Sequence, residues 1–250
     1  MSPSDISHSW FHSHGQRFPP TSWSLVLAAG RCSSPNSKEA LAALCSIYWY
    51  PLYAYVRQAS HSVDSAQDLT QGFFARLLEK NYLGDVRPER GRFRSFLLAS
   101  LKHFLANELD KVRAEKRGGD CSILPLDFGS AESRYSLEPA NELTPAKIFE
   151  KQWALTLLNR VLTRLGEEFR SQKKSKQFDL LKVYLTGDKV RGLYGQTAAE
   201  LGVTEGALKV AVHRLRRRYR ELLREEIGLT VEGPDKIDEE IRYLLAAISS

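Results

Sequence analysis

No stretch of this chain approaches the ~20 consecutive apolar residues that a membrane-spanning helix needs. Its first residues also lack the basic-then-apolar pattern of an export signal. The expectation is a cytoplasmic protein with no membrane partner. Cysteine is scarce: Cys32, Cys45 and Cys121 are scattered and form no CxxC pair, which argues for neither a disulfide framework nor a zinc site. His8, His12 and His14 lie in a Ser-rich stretch without cysteine and with Asp5 as its one acid, so they read as part of a polar leader rather than as metal ligands. There is no Gly-rich phosphate loop and no internal repeat. A search for a Ser/His/Asp set, paired carboxylates in an apolar setting or metal-ligand spacing is equally unproductive. These absences point away from an enzyme and imply no cofactor and no metal.

What is present is ordinary in amount and uneven in distribution. The 250 residues are 42% hydrophobic and 26% charged, a globular composition of a length that suits one large or two small domains. The net charge is +6 and the pI is near 9.2, which favours a polyanionic partner. That excess is concentrated in residues 209–224, while residues 225–240 are rich in Asp and Glu.

The most informative stretch is residues 196–224, QTAAELGVTEGALKVAVHRLRRRYRELLR. A short helix over 197–201 is closed by Gly202, which takes a left-handed conformation at little steric cost. Thr204 is placed to cap a second helix, with Glu205 near the positive end of its dipole. At about 1.5 Å per residue the second helix reaches roughly 30 Å. Leu208, Ala211, Val212, Leu215, Tyr219, Leu222 and Leu223 form its apolar stripe. The opposite face carries Lys209, His213, Arg217, Arg220 and Arg224, with Arg214, Arg216 and Arg218 flanking it. Basic amphipathic helices also serve membrane surfaces and partner proteins. The short helix, glycine turn and cap directly before this one favour a helix-turn-helix that reads DNA. Thr204, Gly206, Ala207, Lys209, Val210 and His213 lie near the N-terminus of the recognition helix, and Arg214, Arg217 and the later arginines are placed for phosphates.

The remaining chain is helical throughout. Residues 1–20 lack periodicity and read as a mobile leader. Helical patterns follow over about 38–60, where Pro51 is expected to kink or split the helix, and over 62–80. The latter has too many apolar residues for one stripe. Either it is buried on both sides, or Phe74 and Leu78 face a partner, with Asp68 and Gln71 adding polar contacts. Residues 93–116 combine core-building Phe and Leu with Lys102, His103, Lys111, Arg113, Lys116 and Arg117. Alone, that pattern fits a helix with solvated lysines; it also suits a nucleic-acid strand. Residues 118–144, with Pro125, Pro139 and many small polar residues, read as a linker between lobes at 21–117 and 145–228. Pro145 suits the first turn of the next helix, and residues 229–250 read as an acidic C-terminal helix whose charge could cover the basic recognition helix.

In their order and spacing these stretches resemble the extracytoplasmic-function (ECF) sigma factors of bacterial RNA polymerase. The sequence DSAQDLTQ over 64–71, followed by Phe73, Phe74, Arg76, Leu77 and Leu78, is similar to the family's D-L-x-Q-x-x-F stretch. The resemblance implies that Asp68, Gln71, Phe74 and Leu78 contact core polymerase. RFRSFL over 92–97 and the helix after it are similar to the segment that captures and melts the −10 element. This places Lys102, His103, Asn107, Lys111, Arg113, Lys116 and Arg117 at melted DNA. Many members carry Asn and Asp where this chain has His103 and Asn107. Residues 197–223 are similar to the helix-turn-helix that reads the −35 element. The implied fold is all-α, two helical lobes on a flexible linker. The implied partners are core RNA polymerase, promoter DNA as duplex and melted strand, and an inhibitory anti-sigma protein in some members. The rival is a dimeric helix-turn-helix regulator that acts without entering the polymerase and binds a palindrome with half-sites about one helical turn apart.

Overall fold

The computed structural model describes residues 26–27, 29–30, 37–60, 62–79, 83, 86–87, 91–114, 126–136, 143–185, 193–231 and 233–249. Among these the fold is all-α, without a strand. The helices are α1 (Ser37–Ser60), α2 (Val63–Glu79), α3 (Phe93–Ala114), α4 (Phe128–Ser136), α5 (Pro145–Ser171), α6 (Ser175–Leu181), α7 (Tyr194–Leu201), α8 (Glu205–Gly228) and α9 (Ile237–Ser249). Short 3₁₀ turns at Lys182–Leu185 and Pro234–Lys236 follow α6 and precede α9.

α5 is the centre of the molecule. Thr144 starts it by accepting the Lys147 N–H at 3.4 Å, and Pro145 follows, where the missing N–H costs nothing. One side of α5 packs against α1, while other faces meet α8 and α9. That explains why its buried residues, including Phe149, Trp153, Leu157, Val161 and Leu165, exceed a single amphipathic stripe. As a result the buried side chains from Val26 to Leu244 form one continuous apolar cluster, and the helix assigned to the second lobe also rests on the first. Gly166 lets α6 cross closely: a Cβ there would lie 2.9 Å from the Phe178 ring, which would have to shift.

One expectation is corrected, and two that left alternatives are narrowed. α1 is not split at Pro51; it runs unbroken through the proline, flanked by Leu52, Tyr53, Ala54 and Val56, all at 0% exposure. Burial of this kind outweighs the loss of one backbone hydrogen bond. Second, the stretch read as a linker contains α4, which docks on α1. The Tyr53 hydroxyl donates to Glu132 at 2.6 Å, Arg57 pairs with Glu132 at 3.2 Å, and the Tyr135 hydroxyl donates to Gln58 at 2.6 Å. Phe128 adds ring contacts to Trp49 and Tyr53. Third, α2 is buried on both sides: Ala66, Thr70, Phe73, Phe74, Ala75 and Leu77 are all inaccessible.

Candidate nucleic-acid interface

The helix-turn-helix is built as its residue types dictate. Gly202, at φ 66°, turns the chain so that the Val203 N–H reaches the Ala198 carbonyl at 2.9 Å. The next residue but one, Thr204, is extended and accepts the Ala207 N–H at 3.2 Å through its hydroxyl. Buried behind the turn, the Tyr184 hydroxyl donates to the Thr197 hydroxyl at 2.8 Å, and the Tyr184 ring lies 4.7 Å from that of Tyr194. Leu208, Val212 and Leu215 anchor α8 to the body. Its outer face is thereby fixed in direction.

On that face Gly206, Ala207, Lys209, Val210, His213, Arg214 and Arg217 are all exposed, together with the capping Thr204. Val210 keeps 50% of its surface open and Val203 43%. Small and apolar residues flanked by cations can approach base edges and thymine methyls closely. Lys209 stands 6.0 Å from the Tyr194 ring centre, at the limit of a cation–π contact. The structure brings the predicted recognition residues together on one side of one helix.

The arginines further along divide. Arg217 and Arg220 remain exposed, although Arg217 also meets Glu221 at 2.9 Å. Arg216 points back and donates to the Tyr184 carbonyl at 2.9 and 2.7 Å. Arg218 reaches α5, where it meets Glu168 at 2.7 Å, and this hydrogen bonding holds its guanidinium pKa above the ordinary value. Arg224 pairs with Asp238 of α9. These three were expected at phosphates; they hold the helix to its neighbours instead.

The α3 face is less fully described. Lys102, His103 and Asn107 are exposed along it, and Leu109 beside them is 61% exposed. Behind them Phe104 packs on Phe73 at 5.8 Å, and Arg76 pairs with Glu108 at 3.9 Å. Lys111 and Arg113 lie within α3, but their side chains are outside the described residues, as are Lys116 and Arg117 entirely. On α2, Asp68 is exposed and Gln71 half-buried. Phe74, expected at a partner surface, is only 1% exposed and stacks edge-on against Phe73. With two adjacent aromatics on a helix covered from both sides, both rings enter the core. The Leu78 side chain is outside the described residues.

Among the described residues no group of three His, Cys, Asp or Glu side chains gathers as a metal site would require. Burial pushes the Cys45 thiol up to about 12, so it acts as apolar filler. No helix among them is long and apolar enough to cross a membrane. The chain matches no protein-family model, no curated protein and no solved structure.

Sequence reasoning missed one cluster. Arg92, Arg94, Glu150 and Glu240 converge from α5, α9 and the start of α3, with Arg94 and Glu240 at 3% and 0% exposure. The signal available was the paired basic residues in RFR and the acidic run before Ile241, but not their meeting.

Proposed function

We propose that this chain is an RNA polymerase sigma factor of the extracytoplasmic-function type, acting in the cytoplasm by binding rather than by chemistry. The single observation that carries the DNA-binding half of this reading is the capped, left-handed turn that presents the open N-terminal half of α8. Gly206, Ala207, Lys209, Val210 and His213 read the −35 element in the major groove, while Arg214 and Arg217 neutralise phosphates. The polymerase half rests on the resemblance of residues 64–78 and 92–97 to the family's stretches, with Asp68 and Gln71 as the accessible contacts. Lys102, His103 and Asn107 then hold bases of the opened strand, a role that tethering to polymerase makes effective by raising local concentration. On this reading the exposed face of α3 engages one element and the open half of α8 the other.

Mixing the purified chain with core RNA polymerase tests this. A stable complex that weakens in Asp68→Ala/Gln71→Ala supports it. A chain that ignores polymerase yet binds palindromic DNA as a dimer is the alternative regulator, and the sigma reading is then wrong.

A further inference from the structure

The acidic helix α9 does not lie over the open half of the recognition helix. Apart from the Arg224–Asp238 pair, its carboxylates Glu239 and Glu240 reach the start of α3. Glu240 accepts from Arg94 Nη1 and lies 2.9 Å from Arg92 Nε, and Glu239 adds a contact to Arg92 at 3.6 Å. The Tyr243 ring covers both guanidinium groups at 4.9 Å. On the inner side Arg94 sits 4.2 Å from the Trp153 ring centre and donates through Nε to Glu150 at 3.0 Å. A small cavity bordered by Arg92, Arg94, Trp153 and Thr230 adjoins the cluster.

Two properties set this cluster apart from an ordinary buried ion pair. Arg94 Nη2 is buried and has no hydrogen-bond partner among the described residues, so the carboxylate leaves one donor unanswered, which is costly in a buried setting. In addition, two guanidiniums converge on one carboxylate, Arg94 between the Trp153 and Tyr243 rings and Arg92 against Tyr243, and planar, forked donors of that kind suit phosphate as well as carboxylate. With Glu240 withdrawn, the two arginines would face only Glu150, leaving a positive site. The attachment of α9 is correspondingly modest: Leu244 is its one fully buried apolar side chain among the described residues, with Ile237, Ile241 and Ile248 partly covered. Removing one partner of a buried ion pair leaves an uncompensated charge, so withdrawal of Glu240 calls for another anion in its place.

We propose that Glu240 occupies a phosphate site: α9 masks Arg92 and Arg94, and the backbone of a bound DNA strand displaces it. This rests on the DNA-binding part of the proposed function and adds a second, gated contact to it. The site and the recognition surface lie on different helices, so a strand engaging both would couple recognition to release of α9.

The test uses the full chain and a short fluorescein-labelled single-stranded DNA, followed by anisotropy at low salt. Glu240→Gln should bind roughly five-fold tighter or more, because a competing charge is removed. Adding Arg92→Gln should abolish that gain. Unchanged affinity in Glu240→Gln, or a gain that survives Arg92→Gln, overturns the proposal. A readout on the unmodified chain covers the case in which Glu240→Gln fails to fold. Amides of residues 237–249 should exchange with deuterium faster when DNA is saturating, and equal or slower exchange also overturns it. Polymerase is absent throughout, so failure here leaves the polymerase experiment untouched, and failure of that experiment leaves this result standing.

Discussion

In the first half of α8, Lys209, His213 and Arg214 stand in solvent with no ion pair among the described residues. In the second half Arg216 is spent on the Tyr184 carbonyl, Arg218 on Glu168 and Arg224 on Asp238. Acidic residues account for the change: Glu221, Glu225 and Glu226 enter the helix only in its second half, and α5 and α9 bring further carboxylates to it. Both halves carry arginines, and the carboxylates within reach decide which of them remain available. A basic run is therefore not a binding surface along its whole length. Its open portion is bounded by where the next helix begins to supply partners.

That contrast can be broken from either side. The largest effect should come from the apolar stripe beneath the second half. Leu222 is completely buried, and Leu222→Ala should cost about 2–5 kcal/mol by urea unfolding, as cavities in packed cores do. Next comes the difference between two neighbouring arginines. Arg216→Ala should cost about 1–3 kcal/mol of stability, since it strands a buried carbonyl. Arg214→Ala should leave stability within about 0.5 kcal/mol but weaken duplex binding and lower the salt slope of affinity by about 1. If both variants lost stability alike, the division of the helix would be wrong.

The smallest effect concerns Glu226, whose carboxyl burial raises above the ordinary carboxylate range, against opposing contributions from Arg160 and Arg164. A raised carboxyl binds its proton more tightly in the folded chain, so the stability it confers is present at low pH. That stability is lost as pH rises from the ordinary value through the raised one. Glu226→Gln, which stays neutral, should gain on the parent by ~0.5 kcal/mol across that window. Thermal melts at several pH values would show it, and a parent that gains with rising pH would contradict the shift.

How far the sequence could be read depended on whether partners were near in the chain. Gly202 and Thr204 act within one turn of themselves, so the turn, the cap and the exposed face of α8 were legible from spacing and side-chain chemistry. The all-helical content followed from periodicity in the same way. Phe74 was not settled by spacing, because an apolar excess on α2 fits either a covering helix or an external partner until the covering helix is known. α4 escaped notice because its short, weakly patterned sequence gains order from Arg57 and Tyr53 of α1, more than seventy positions away. Glu240 and Arg94 are farther apart still, at 146 positions. Contacts at that range are specified by the packing of α5, α3 and α9 together, and no local pattern announces them.

The central position of α5 also bears on the order in which the protein takes shape during synthesis. α1, α2 and α3 are synthesised before Phe149 and Trp153 exist, so the surface of α1 that α5 will cover must wait uncovered. Pairings between distant parts of a chain form late, because the loop must close before the contact is made. The nascent first half thus carries an open apolar face for the time needed to translate the intervening residues. Chaperone capture, or a slowing of translation, would act most strongly on this chain in that interval.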